Sequence, residues 1–233
     1  MTIEQKTEKP SLLIRMGLKG CACLPCILMG VTKNKIKQGV SKYFGREIER
    51  LPPGQRQTKA FPILSIGANP EYNTTDWSFR IYGEVENPVI FNWDKFNKLP
   101  KQQQISDFHC AVGWSKLDVH WGGVPFKSIV ELVRPKQDAH FLIAECADGY
   151  KTGIPIEYTL KDNVLLALEL DGQPISAEHG GPMRLIVPEL YAWKSPKFLR
   201  GLSFSKTDEA GYWEKRGYHP VGDPWREERL AKK

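Results

Sequence analysis

From Trp77 to Phe204 the apolar residues come in short runs, most of them closed within a few residues by proline or glycine. Such punctuation restricts the chain to many turns and short elements. Trp77, Phe79 and Ile81 alternate with Ser78, Arg80 and Tyr82, the period of a half-buried strand. Further strands are expected over His140–Cys146, Val164–Leu170, Met183–Val187 and Leu202–Phe204, with turns at Asp148-Gly149 and Asp171-Gly172. Asn92 is placed to cap a short helix running through Leu99. Pro125 is expected to begin a second helix, with Phe126, Ile129, Val130 and Val133 on its apolar face and Pro135 as its stop. Trp193–Leu199 reads as a short helix or turn. Strands and short helices mix without regular βαβ alternation, so the sequence predicts an α+β fold, a single mixed domain, and not a doubly wound sheet. No repeat with a period of roughly 20–50 residues is present.

Charge divides the chain. Residues 1–59 hold 12 Lys and Arg against 4 Asp and Glu, whereas residues 60–233 hold 21 against 23. The basic character therefore belongs to an N-terminal extension, residues 1–50, and the main domain, residues 51–233, is slightly acidic. A basic arm suits peripheral contact with an anionic membrane surface or an acidic partner, or else a solvated extension. An acidic main domain without basic-aromatic patterning argues against nucleic acid as a partner. Apolar residues at 36, 40, 44, 48 and 51 predict a helix in the arm, ended by Pro52-Pro53-Gly54.

Five cysteines, at 21, 23, 26, 110 and 146, form no disulfide framework and point to a reducing compartment. Cys21, Cys23 and Cys26 could bind a metal, accept an acyl chain, or serve as small apolar residues, and the spacing does not choose among these. The apolar run from Cys21 to Val31 is too short to span a bilayer. No twin-arginine pair is visible, which favours the cytoplasm.

Motifs for nucleotide binding, phosphate loops, zinc proteolysis and serine esterase chemistry are missing. The chemistry concentrates instead in Asp107–Trp121, DFHCAVGWSKLDVHW. Cys110 has three functional readings there. A catalytic thiol needs a base or cation to lower its pKa, yet the adjacent His109 would point to the opposite face of a strand. A zinc ligand would join His109, His120 and Cys146, at spacings unlike the usual zinc patterns. A lone thiolate on a soft metal held mainly by an organic cofactor needs no second protein ligand. Composition alone favours a fourth reading, an inert buried thiol. His109 and His120 read as structural, and Trp114, Trp121 and Trp193 as core aromatics.

Five segments, LPPGQRQTKAFPIL, DFHCAVGWSKLDVHWGGVPF, ADGYKTGIPIE, EHGGPMRLIVPELYAWKSPKFLRG and GYWEKRGYHPVGDPWREER, change that weighting. In this order they resemble the molybdopterin-binding oxidoreductase domain of the sulfite oxidase superfamily, in particular its small stand-alone members without a heme domain. The resemblance implies a molybdenum-molybdopterin cofactor with Cys110 as the protein ligand to the metal. It implies Phe61, Leu64, Ser65, Cys146, His179, Arg184, Ser195, Pro196 and Lys197 as cofactor-binding residues, and Tyr218 as a tyrosine lining the metal site. Arg, Lys and turn amides make chemical sense around a phosphate. The implied activity is oxygen-atom transfer, either oxidation of a sulfite-like oxyanion or reduction of a sulfoxide or N-oxide. Electrons would pass to or from a separate partner, a heme or other redox protein. The family's C-terminal dimerisation domain has no counterpart here, which implies a monomer. His109 replaces the arginine that precedes the ligand cysteine in the larger enzymes, and this weakens the case for sulfite. The alternative to catalysis is a cofactor- or partner-binding module docked through its basic arm.

Overall fold

The computed structural model describes residues 50–232. The basic arm, nearly all of its expected helix, and Cys21, Cys23 and Cys26 lie outside the described residues. Two sheets build the domain. The first contains β1 (Arg56–Gln57), β4 (Gln102–Cys110), β5 (Trp114–Pro125), β8 (Leu165–Leu170), β9 (Gln173–Pro174) and β10 (Arg184–Ile186). Its spine runs β1-β5-β8-β10, with β4 paired to β5 and β9 to β8. The second runs β3-β2-β11-β6-β7, where β2 is Ser78–Gly83, β3 Val89–Asn92, β6 Phe141–Cys146, β7 Lys151–Pro155 and β11 Leu199–Ser205. Within it, β2 and β11 are parallel and the other pairs antiparallel.

Three short helices are described, α1 (Trp93–Asn97), α2 (Phe126–Val133) and α3 (Ile156–Thr159). Asn92 caps α1 as expected, its side-chain oxygen accepting from the Lys95 N–H at 2.9 Å. That helix ends at Asn97, two residues before the expected Leu99. Pro125 stands one residue outside α2, with extended backbone, because it still pairs with Leu165 in the β5–β8 ladder. Arg134 closes α2 in a left-handed conformation immediately before Pro135.

Strands β1, β3, β5, β7 and β9 were not expected. Lys151–Pro155, KTGIP, carries the residues of a turn, yet it pairs along β6 from Phe141↔Pro155 to Glu145↔Lys151. The last strand begins at Leu199, earlier than Leu202, so only the first part of Trp193–Leu199 is a 3₁₀ turn, Ala192–Lys194.

The crowded stretch around Cys110 is a long antiparallel hairpin, with Cys110 opposite Trp114 and His109 opposite Ser115. Gly113, at φ +97°, closes the turn by donating to the Cys110 carbonyl at 2.9 Å. The hairpin's period sends Phe108, Cys110 and Trp114 to one face and His109 with Ser115 to the other. The first face joins Val119, Trp121, Leu165, Ala167, Ile175 and Ile186 in a compact apolar cluster. A larger cluster fills the space around the second sheet, including Trp77, Phe79, Phe96, Phe126, Leu142 and Phe204. Gly123 permits close approach of the two central strands, since a Cβ there would lie 2.2 Å from the Leu166 carbonyl oxygen.

Candidate active site

Cys110 ends β4 at the wall of a cavity of about 470 Å³, a volume typical of small-molecule sites. Five other segments enclose it: residues 61–68, Asp148 and Tyr150 of the β6–β7 turn, the 3₁₀ turn Ala177–His179 with the start of β10, the Trp193–Phe198 turn, and Tyr212, Trp213 and Tyr218 of the C-terminal segment. Phe61, Leu64, Ser65, His179, Arg184, Ser195, Pro196, Lys197 and Tyr218 all line it together with Cys110.

Cys146 does not line it. This thiol packs half-buried against the larger core cluster, and burial pushes it well above the usual thiol range, with Asp148 adding to the effect. The resemblance implied a place close to the cofactor, and Cys146 is within electrostatic reach of Arg184, which lines the cavity.

Arg184 organises one end of the cavity. Its guanidinium is buried, donating from Nη1 to the His179 carbonyl at 2.9 Å and from Nη2 to the Ser195 carbonyl at 2.7 Å. The two bonds hold together the turns on either side of β10. The Nε–H has no acceptor, and no carboxylate pairs with the side chain, among the described residues. Its cation lies 5.2 Å from the centre of the Phe108 ring and 5.5 Å from that of Trp121. Burial lowers its pKa to about 10. Ser195 adds rigidity, its hydroxyl accepting from the Val187 N–H at 2.9 Å. Lys197 reaches the carbonyls of Leu64, at 2.8 Å, and Glu178. Burial, then the charge of Arg184, lowers its pKa to about 8. His179 stacks at a tilt on Phe61, ring centres 4.8 Å apart, and burial followed by the two cations depresses it too.

A buried guanidinium without a counter-ion beside a depressed lysine is costly unless an anion joins them. The donor set therefore fits a ligand that carries phosphate. It also predicts a pH dependence. Between about 8 and 10.5 the folded apo-protein binds fewer protons at Lys197 than the unfolded chain does, so this group makes apo stability rise with pH across that window. Anion binding recruits the proton, so affinity for phosphate or a phosphate-bearing cofactor should fall as pH rises through 8. Calorimetric titration between pH 7 and 9 checks this, and Lys197→Met should flatten the profile.

The readings of Cys110 can now be separated. Its sulfur is buried and its pKa is raised by that burial, while N–H groups of Val112 and Ala111 act in the opposite direction. His109 offers no help, for its Nδ1 lies 2.8 Å from the Ser115 hydroxyl on the opposite face, and burial lowers its pKa. An activated catalytic thiol is thus disfavoured. Among the described residues no three His, Cys, Asp or Glu side chains converge for a metal, which removes the zinc reading. The burial and the raised pKa suit an inert buried thiol, while the cavity and the two backbone N–H groups suit a soft-metal thiolate, so the geometry leaves these two readings.

The aromatic wall was not foreseen. Trp193 stacks on Tyr191 with ring centres 5.2 Å apart, and meets Tyr218 edge-on at 5.1 Å. Trp213 lies 4.9 Å from Tyr218 and 5.1 Å from Tyr212. Trp193 is buried, as a core aromatic would be, but it also faces the cavity. The aromatic density of the tail was the available sequence signal.

Residues 66–213 match the family model described as an oxidoreductase molybdopterin binding domain. Phe61, Leu64, Ser65 and Tyr218 fall outside that span. The uncharacterized oxidoreductase YuiH of Bacillus subtilis (strain 168) is 38% identical over 195 residues, 81% of this chain and 98% of that one. The protein-methionine-sulfoxide reductase catalytic subunit MsrP of Campylobacter jejuni is 26% identical over 168 residues, 65% of this chain and 56% of that one. The sulfane dehydrogenase SoxCD from Paracoccus pantotrophus has a similar fold, at a TM-score of 0.55 and 23% identity, over 60% of this chain and 41% of that one.

Proposed function

Since the chain belongs to the family of oxidoreductase molybdopterin-binding domains and takes the molybdenum cofactor, we propose that it reduces neutral sulfoxide-type substrates by oxygen-atom transfer. When bound, the cofactor supplies the two-electron couple this chemistry needs. The overall reaction consumes a sulfoxide, two electrons and two protons, and releases a sulfide and water. A separate redox protein provides the electrons.

Cys110 supplies the thiolate ligand to molybdenum, and the N–H groups of Ala111 and Val112 support its negative charge. Arg184, Lys197, His179 and the Ser195–Lys197 turn hold the phosphate-bearing tail, with Phe61, which touches His179, Leu64, which accepts from Lys197, and Ser65 completing that end. Tyr218 takes part through its hydroxyl in none of the hydrogen bonds among the described residues, which leaves that group free to donate to the substrate oxygen. Trp193, Trp213 and Tyr212 exclude water around the reacting centre.

One observation carries the choice of a neutral substrate over sulfite: His109, which replaces the family's arginine, turns away from the cavity to Ser115. The cations that do line the cavity, Arg184 and Lys197, are tied to carbonyls at the anion-binding end. Trp193, Trp213, Tyr212 and Tyr218 carry no charge themselves; a cation beside this wall, Arg216, lies against the Tyr212 ring at 3.6 Å and does not line the cavity. The name of the Campylobacter relative, a protein-methionine-sulfoxide reductase subunit, points the same way.

The test uses protein matured with molybdenum, with a reduced viologen dye as electron donor for sulfoxide reduction and ferricyanide as electron acceptor for sulfite oxidation. The expected result is reduction of methyl sulfoxides at rates at least about tenfold above sulfite oxidation, roughly the discrimination of one lost charge contact. Faster sulfite oxidation than sulfoxide reduction would reverse the assignment.

A further inference from the structure

Behind the aromatic wall lies an ion pair that cofactor binding does not use. Lys194 and Glu214 are almost fully enclosed, at 0% and 5% side-chain exposure, with Nζ and Oε1 2.6 Å apart. Glu214 belongs to a 3₁₀ turn of the C-terminal segment, and Lys194 ends the turn that carries Trp193. Three donors converge on Glu214 Oε1: Lys194 Nζ, the Thr152 hydroxyl at 2.8 Å and the Trp193 indole N–H at 3.2 Å. The second carboxylate oxygen is buried and has no partner among the described residues.

A buried ion pair is a poor device for stability alone, because apolar replacements of similar volume are often neutral or better. The placement argues for orientation instead. The C-terminal segment lies directly on β7: Tyr212 N–H donates to the Lys151 carbonyl at 2.9 Å, and a Cβ on Gly211 would fall 2.0 Å from that same oxygen. Trp193 is stacked on Tyr191 on one side, and a Cβ on Gly222 would come within 2.6 Å of its ring. Its backbone carbonyl accepts from the Tyr150 hydroxyl at 2.7 Å, and among the described residues the indole itself is tethered by the bond to Glu214. From Trp193 the contact passes edge-on to Tyr218, in the same cavity as Cys110.

We infer that Glu214 is a positioning residue that sets the orientation of Trp193, and through it Tyr218, so fixing the shape of the wall that receives substrate. The inference rests on the sulfoxide reading for its kinetic arm only. Lys194 holds Glu214 in register by also bonding the Gly153 carbonyl.

The test compares two double variants in the molybdenum-loaded protein. Lys194→Met with Glu214→Leu removes both charges and the acceptor for the indole. Lys194→Met with Glu214→Gln removes both charges but keeps an amide oxygen in reach of the indole. In the first, the ratio of kcat/KM for dimethyl sulfoxide over methyl phenyl sulfoxide should shift about tenfold, mainly through KM, since a single lost hydrogen bond is worth about that factor. Its near-ultraviolet circular dichroism from the stacked Trp193 should weaken. The glutamine variant should retain the wild-type ratio and spectrum, and molybdenum content should be unchanged in both. Identical ratios and spectra in the two variants would overturn the inference. Should the leucine variant fail to fold, Trp193→Phe, which removes the N–H donor together with part of the ring, must also shift the ratio. If wild-type protein carries molybdenum yet reduces no sulfoxide, the substrate reading fails while the spectral comparison still decides the role of Glu214.

Discussion

Replacing Cys110 with serine should reduce oxygen-atom transfer per bound molybdenum by more than about 100-fold, the upper range for disturbing a residue merely behind a metal ligand. The substitution is nearly isosteric at a buried position, so the thermal midpoint should move by only a few degrees, on the order of a 1 kcal/mol change. Molybdenum should fall below one per chain without vanishing, because the anion-binding end is untouched. Thiolate-to-metal absorption in the visible spectrum should disappear. Activity normalised to molybdenum that stays within a few-fold of wild type would remove Cys110 from the metal. Quoting activity per molybdenum is necessary, as lost cofactor alone would otherwise imitate the result.

The Arg184→Met variant should instead lose the cofactor itself. The guanidinium satisfies the carbonyls of His179 and Ser195, and an acceptor left bare costs about 1–3 kcal/mol. A charge-assisted bond to an anion is worth a further ~1.5–3 kcal/mol. Retention of cofactor through gel filtration should therefore weaken by at least about 100-fold. The apo-protein responds differently, for methionine also removes a buried cation that has no counter-ion. The gap in thermal midpoint between loaded and empty protein should therefore shrink more than the midpoint of the empty protein falls. Arg184→Lys should rescue only part, because an ammonium cannot reproduce a planar fork between two carbonyls. Full molybdenum content in Arg184→Met would contradict the assigned anion site.

Local signals predicted much of this molecule. The alternation Trp77–Tyr82, the cap at Asn92 and the stop at Pro135 report short-range preferences, and the structure follows them closely. Lys151–Pro155 was not foreseen as a strand, because its strand character comes from pairing with β6 and from the C-terminal segment lying over it, not from its own residues. The side-chain direction of Cys146 is likewise not set locally. Its position near the cofactor in relatives says where the backbone runs, but the inward turn of the side chain depends on packing around β6. Glu214 carried no sequence signal, since a lone glutamate in a charged tail reads as solvated until its burial is known.

The sequence by itself determined which groups are available: the Cys110 thiol in DFHCAVGWSKLDVHW, an arginine and a lysine flanking Trp193, and a tail dense in aromatics. It also determined their order, and that order resembles one family. Only the tertiary structure decided which of them meet. Lys197 bonds the carbonyl of Leu64 from 133 residues away, and such contacts depend on sheet pairing and burial that no local preference encodes. The register of the β4–β5 hairpin, with Gly113 at its turn, turns Cys110 into the cavity and His109 out of it. A one-residue slip would exchange them, because side chains alternate strictly across a strand.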